Sequence, residues 1–321
     1  MAIKRIAVLT TGGDAPGMNA AIRAVVRFAW HNKLEVIGVF RGWHGLINED
    51  LKPMSHRSVS GIINQGGTIL KTARCPEFET KGGQEKAFQT LKKHAIDAMV
   101  VIGGDGSFRA VHGFYKKYKV PCIGIPASID NDINGIDMTI GADTAVNTAL
   151  SAIDNIRDTA TSMERIFVIE VMGRDSGFIA LSVALAGGCE DVLIPGKILD
   201  FENICRDIVE GNKKGKISWI IVVAEGVASA DEIAKKIAER TGLDTRAVTL
   251  GHVQRGGRPT ALSRELALRL GEAAVECLLK GESDKAVGIR AGKIVCLDLE
   301  FAITKKKLEA DSFYKLIKIL T

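Results

Sequence analysis

No stretch of this sequence approaches the ~20 consecutive apolar residues that a bilayer-spanning helix requires, so an ordinary transmembrane anchor is excluded. The opening residues, MAIKRIAVLTTGGD, carry too short an apolar run for a secretory signal, and a cytoplasmic location is expected. Blocks of like charge are missing as well. The 43 basic and 38 acidic residues leave a formal charge of +5, and no run is long enough to act as a nucleic-acid arm. Neither a membrane nor a nucleic acid is therefore expected as a partner. The six cysteines, Cys75, Cys122, Cys189, Cys205, Cys277 and Cys296, form no CxxC pair and no zinc spacing. Several lie among apolar neighbours, so reduced, buried thiols are the expectation. Low-complexity segments are also lacking, and the chain should fold throughout.

With 46% hydrophobic and 25% charged residues, the composition is that of a soluble globular protein. A length of 321 residues exceeds one comfortable core and predicts two domains. Short continuous apolar runs recur: RIAVLT, LEVIGVF, AMVVIGG, PCIGIP, RIFVIEVM and WIIVVAEG. Continuous rather than alternating patterning marks strands buried on both faces. Between them MNAAIRAVVRFAW, SAIDNIRDTA and ADEIAKKIAERTG have helical spacing, the last closing on a glycine suited to a C-cap. The fold class is therefore α/β, with largely parallel sheets covered by helices. Ligands of such sheets sit beyond the carboxyl ends of the strands.

Four strand-end loops are rich in glycine and acid: TTGGDAPGMN, GGDGS, PASIDNDING and VMGRDSGF. The first two repeat one theme, an apolar strand followed by Gly-Gly-Asp and then a helix. Glycines let backbone N–H groups approach a phosphate, and a helix N-terminus adds partial positive charge. A tight turn without a ligand explains either copy alone; two copies point to phosphate chemistry. An acid among phosphate-binding glycines repels its ligand unless a cation intervenes, so Asp105 reads as a magnesium-side residue. Asp14 is a weaker candidate for that role and alternatively caps the helix that follows. Asp130 and Asp132 project to the same side if their loop is extended, where one can act as base and the other handle metal or solvent. An Asx-turn or helix cap is the competing reading.

Taken together, VLTTGGDAPGMNAAIR, VVIGGDGS, SIDNDI, EVMGRDSG, AGGCE and LGHVQRGG resemble the bacterial ATP-dependent 6-phosphofructokinases, in that family's order and over essentially the whole chain. The resemblance implies a phosphofructokinase fold of two lobes. The first, 1–141 with 254–304, would bind ATP, and the second, 142–253 with 305–321, would bind fructose 6-phosphate. It also implies transfer of the ATP γ-phosphoryl group to the 1-hydroxyl of fructose 6-phosphate, with Mg2+ as cofactor. Asp130 then matches the catalytic base, Asp132 a neighbouring acid, Ser128 a hydroxyl of the same motif, and Gly13 the glycine approaching the transferred phosphate. Arg174 matches the cation that neutralises the transferring group. Gly104, Asp105, Gly106, Ser107, Arg74 and Cys75 fall on the nucleotide side. Trp43 falls where the family sets an aromatic against adenine, and a core position is its alternative.

For the sugar 6-phosphate the resemblance assigns Arg165, Arg246 and His252, with Arg255 close by; Glu225 and Met172 line the sugar. Arg165 and Arg246 would reach in from a neighbouring subunit, which implies a homotetramer. Arg23 and Arg27, four residues apart on one helix face, match an effector site for ADP or phosphoenolpyruvate, together with Arg157, Glu190, Lys214 and Lys216. There Glu190 would hold the effector's magnesium.

Several positions depart from the family pattern: Ser128 for threonine, Ala127 for glycine, Glu79 for an ATP-side arginine, and His56 for an effector arginine. Serine keeps the hydroxyl. Glu79 weakens ATP binding unless it points elsewhere, and His56 makes effector binding weaker or dependent on pH. The nearest rival is the pyrophosphate-dependent enzyme, which carries aspartate and lysine where this chain has Gly106 and Ala127. A catalytically silent nucleotide-sensing homologue is the rival of another class, and the presence of Asp130 and Arg174 argues against it.

Overall fold

The computed structural model describes residues 3–197 and 200–321. Its strands are, in chain order, β1 (Arg5–Thr10), β2 (Glu35–Val39), β3 (Leu51–Met54), β4 (Ala98–Gly103), β5 (Cys122–Ser128), β6 (Ile140–Gly141), β7 (Ile166–Val171), β8 (Asp191–Leu193), β9 (Trp219–Ala224), β10 (Thr245–Thr249), β11 (Lys285–Arg290) and β12 (Lys293–Asp298). The chain divides into two compact units. One runs to Thr144 and resumes over Arg255–Lys306; the other holds Ala145–Gln254 and Lys307–Thr321.

The first unit is built on a sheet in the order β12-β11-β5-β4-β1-β2-β3, with β6 added beside β5. Its centre is parallel: Val8 of β1 sits level with Gly38 of β2 on one side and Val100 of β4 on the other. The two ends turn antiparallel, β2 with β3 and β11 with β12. All six residues of β4 are buried, as are five of the six in β1, because helices cover both faces. Helix Met18–His31 turns Ile22, Val25, Val26 and Ala29 inward, an i, i+3, i+4, i+7 stripe that packs on helix Ala261–Leu279. On the opposite side Phe108, Phe114, Met99 and Leu91 fill a common core.

The second unit has a wholly parallel sheet, β10-β7-β9-β8. Every residue of β9 is buried, and the core joins Val168, Ile221 and Val223 to Ile208, Ile233 and Ile237 of two helices. The C-terminal helix Ala310–Leu320 is fixed to β8. Its Tyr314 hydroxyl donates to the Val192 carbonyl at 2.8 Å, and Lys318 Nζ lies 2.7 Å from Asp191. Among the described residues no helix is long and apolar enough to cross a membrane.

Candidate active site

Three strand-end loops of the first unit meet. Ser107, in the first turn of helix Asp105–Tyr118, donates its hydroxyl to the Thr11 carbonyl at 3.0 Å and so ties the loop after β4 to the loop after β1. Thr72 donates to the Gly12 carbonyl at 2.7 Å and adds the segment that carries Arg74 and Cys75. Gly104 lies against Ser128, where a Cβ would stand 3.4 Å from the serine Cβ, and this brings in the loop after β5. Gly13, Gly104, Asp105, Gly106, Ser107, Ser128 and Asp130 therefore belong to one region of one unit. At Gly106 an added Cβ would meet nothing within 4 Å, so packing does not demand a glycine there.

Asp105 occupies the first turn of its helix, where a carboxylate suits the helix dipole. Arg109, one turn on, donates to its Oδ2 at 2.8 Å, and the side chain stays one-third exposed. The remaining oxygen suits a hard cation that takes only one or two protein carboxylates. Asp14 does not cap the following helix: that position belongs to Gly17, at φ 112°, which a side chain would not tolerate.

The premise for Asp130 and Asp132 needs correcting. Their loop is not extended, because Asn131 between them is left-handed at φ 49°, so strand alternation does not set their directions. Asparagine tolerates this conformation better than most residues. Its side chain holds the turn, Nδ2 donating to the Asp137 carbonyl at 3.1 Å and Oδ1 accepting the Thr139 N–H at 3.0 Å. Ser128 Oγ accepts the Asp130 N–H at 3.2 Å, so the serine side chain closes the start of the turn. Asp130 itself is buried at 6% exposure.

Lys306 escaped the sequence analysis because it lies in the run KKK, which reads as a solvated face. Its ammonium instead donates to Asn131 Oδ1 at 3.2 Å and faces the charges of Asp132 and Asp137. Burial pushes its pKa below the ordinary lysine range, with both aspartates acting in the opposite direction.

Arg255 lies over the loop after β1. It belongs to the first unit, donates to the Asp14 carbonyl at 3.3 Å, and covers Gly13 so closely that a Cβ there would collide with Nη1. Trp43 is 5% exposed, stacked on Phe78 with ring centroids 4.0 Å apart and with Phe114 at 6.2 Å. Phe78 occupies a face of the ring, so the structure gives Trp43 the core position rather than that of a flat exposed platform. Arg74 and Glu79 are exposed, and Cys75 is half-buried.

The second unit carries Arg174 in the loop after β7, exposed and left-handed at φ 47°. Glu225 stabilises that turn, its Oε1 accepting the N–H groups of Gly173 and Arg174 at 3.3 and 3.0 Å. Gly226 supports it from below, since a Cβ there would overlap the Arg174 carbonyl. Met172 is buried and His252 exposed. Arg165 and Arg246 converge on Asp244, at 2.7 and 3.2 Å, so two guanidinium groups are gathered around one carboxylate. The residue type of Asp244 gave no signal in the sequence, because the convergence arises only when β10 pairs with β7.

The effector candidates are distributed over both units. In the first, Arg23 and Arg27 are half-buried, and the Nε of each has no hydrogen-bond partner among the described residues. Burial and the neighbouring Arg27 charge push the Arg23 pKa down. His56 stacks obliquely on Trp30, at the end of the same helix, with centroids 4.9 Å apart. In the second, Arg157 donates to the Gly188 carbonyl at 3.0 Å and also to that of Gly187. Lys214 is exposed. Glu190 is 6% exposed, and both its oxygens are engaged, Oε2 by the Ile220 N–H at 2.6 Å and Oε1 by Lys216 at 3.1 Å. Lys216 is thus the cation that faces Glu190.

Residues 5–278 match the family described as Phosphofructokinase. The chain belongs to the phosphofructokinase family. Among its curated relatives are two proteins named ATP-dependent 6-phosphofructokinase. That of Thermotoga neapolitana is 49% identical over 319 residues, covering 99% of this chain and all of the relative. That of Halothermothrix orenii is 50% identical over 331 residues, with the same coverage. Among solved structures, phosphofructokinase from Saccharomyces cerevisiae superposes with a TM-score of 0.88 at 36% identity, over 94% of this chain and 45% of that one. A pyrophosphate-dependent phosphofructokinase from Marinobacter aquaeolei superposes at 0.84 with 23% identity, over 99% of this chain and 91% of that one, a likeness of fold.

Proposed function

We propose that this family member transfers the γ-phosphoryl group of ATP to the 1-hydroxyl of D-fructose 6-phosphate, giving fructose 1,6-bisphosphate and ADP. The observation that carries the reading is the junction of three strand-end loops around Gly13, Gly104–Ser107 and Ser128–Asp130 in one unit, with open space above Gly106. Glycine backbone and a helix N-terminus suit the nucleotide phosphates. Space at Gly106 suits a donor with an α-phosphate, where pyrophosphate would need none. Asp130 is the base that takes the proton from the sugar 1-hydroxyl, a role requiring hydrogen-bond reach and an unprotonated carboxylate. Asn131 and Lys306 position it by fixing the turn.

Phosphoryl transfer depends on cations placed around the moving group. Arg174 supplies one, in a backbone conformation maintained by Glu225 and Gly226. Arg255 supplies another over Gly13. Mg2+ on the Asp105 side would screen the phosphate charge when bound with ATP. Arg165 and Arg246 serve the sugar 6-phosphate, for which paired guanidinium donors are well suited; Asp244 holds them together until the phosphate arrives. The remaining basic residues, Arg23, Arg27, Arg157, Lys214 and Lys216, form the effector set for ADP or phosphoenolpyruvate in a cytoplasmic homotetramer.

A coupled assay with ATP and pyrophosphate side by side, each with and without fructose 6-phosphate, tests the reading. ADP formation that requires the sugar phosphate is expected. Turnover with pyrophosphate alone would overturn the donor, and no turnover with either would overturn the activity.

A further inference from the structure

Two of the six cysteines meet in the first unit, and neither has a role in the reaction proposed above. Cys277 lies in the last turn of helix Ala261–Leu279, and Cys296 lies in β12, at an edge of the sheet. Their sulfurs are 3.2 Å apart, within hydrogen-bonding range for thiols, and both residues are half-buried. Cys122, Cys189 and Cys205 are buried, whereas solvent reaches this pair.

The two thiols are chemically unequal. When Cys277 ionises, the Cys296 S–H donates to its sulfur, which holds the Cys277 pKa below the ordinary thiol range, while the same contact pushes Cys296 up. Lys280, three residues along, favours the Cys277 thiolate, and Glu276 and Glu282 oppose it. Oxidant-reactive cysteines combine thiolate character, solvent access and a second thiol within reach. All three conditions coincide here. To bond, the sulfurs need to close by about 1 Å toward the ordinary ~2.05 Å separation.

We propose that Cys277 and Cys296 form a peroxide-reactive dithiol that closes to a disulfide linking the end of helix Ala261–Leu279 to β12. The Cys277 thiolate attacks one oxygen of a hydroperoxide, breaking the O–O bond, and a Cys277 sulfenic acid forms with release of water or alcohol. The Cys296 sulfur then displaces hydroxide from that sulfenic acid. The S–S bond forms, and the hydroxide leaves as water with the Cys296 proton. Two thiols and one peroxide become one disulfide and two hydroxylic products, the two electrons passing from sulfur to oxygen.

The test uses the full chain, reduced, freed of reductant and treated with one equivalent of hydrogen peroxide. The thiol count after denaturation is expected to fall from six to four, and non-reducing peptide mapping should recover the Cys277 and Cys296 peptides joined. In Cys296→Ser the reaction should stop at a sulfenic acid on Cys277 that dimedone captures. In Cys277→Ser the initial reaction should slow by about tenfold or more, because the activated thiolate is gone. Joined peptides from any other pair would overturn the proposal, as would sulfinic acid on Cys277 of the parent chain without a link. First reaction at Cys75 would overturn it too. The mapping of the parent chain needs no variant to fold, and it reads chemistry independent of the phosphoryl transfer.

Discussion

At the scale of single residues, the proposed reaction puts its heaviest chemical duty on Asp130. Asp130→Asn keeps the shape and removes the proposed base, so kcat should fall by about 10²–10⁴-fold, the usual worth of a general base. The KM for ATP should stay within about twofold, because proton abstraction contributes to the transition state and not to nucleotide binding. Steady-state kinetics with both substrates check this. Lys306 acts one step removed, through Asn131. Lys306→Met should lower kcat by about tenfold, equivalent to ~1.4 kcal/mol of transition-state stabilisation, while Lys306→Arg restores most of it. A loss that arginine fails to rescue would assign Lys306 to folding alone. Gly106 tests the donor. Gly106→Asp meets no protein atom within 4 Å on building its Cβ and should fold normally by circular dichroism. Its negative charge beside the nucleotide phosphates should raise the KM for ATP by at least about tenfold, a factor that ~1.4 kcal/mol of repulsion supplies.

Elements transmit these constraints, and their caps are quantifiable. Thr260 caps helix Ala261–Leu279 by accepting the Ser263 N–H at 3.2 Å, and it also donates to Asp143. Thr260→Ala should cost about 1–2 kcal/mol of stability, read as a lower denaturant midpoint with unchanged KM values. Most elements of this kind were legible in the sequence. All six continuous apolar runs are strands, and the run ending in Gly242 is a helix closed by that glycine at φ 71°. Illegible were β3, β6, β8, β10, β11 and β12. These strands are short or partly exposed, so neither length nor burial leaves a pattern. The site shows the same division. Gly104–Ser107 and Ser128–Asp132 announce themselves as glycine and acid at strand ends. Lys306, Asp244 and the position of Arg255 depend on contacts between segments distant in sequence, which local composition does not encode. The left-handed turn at Asn131 also escaped, because two aspartates flanking any residue suggest alternation until the backbone bends.

For the whole molecule, thiol chemistry sorts the cysteines by depth. Burial pushes Cys122 and Cys189 up to about 12, and Cys205 is raised by the same cause. All three are buried, so native protein should present three sulfurs to a reagent, the half-buried Cys75, Cys277 and Cys296, and denatured protein six. Titration with an aromatic disulfide before and after denaturation measures both numbers. More than three in the native protein would mean that one of the two units opens locally on the timescale of the reagent.

The glycines at 106 and 226 look alike in the alphabet and differ in kind: one faces empty space, the other the Arg174 carbonyl. Variant libraries scored separately for cellular abundance and for growth on glucose should therefore split them. Position 226 should fail both screens, whereas 106 should pass the first and fail the second, marking a letter retained for its ligand's sake.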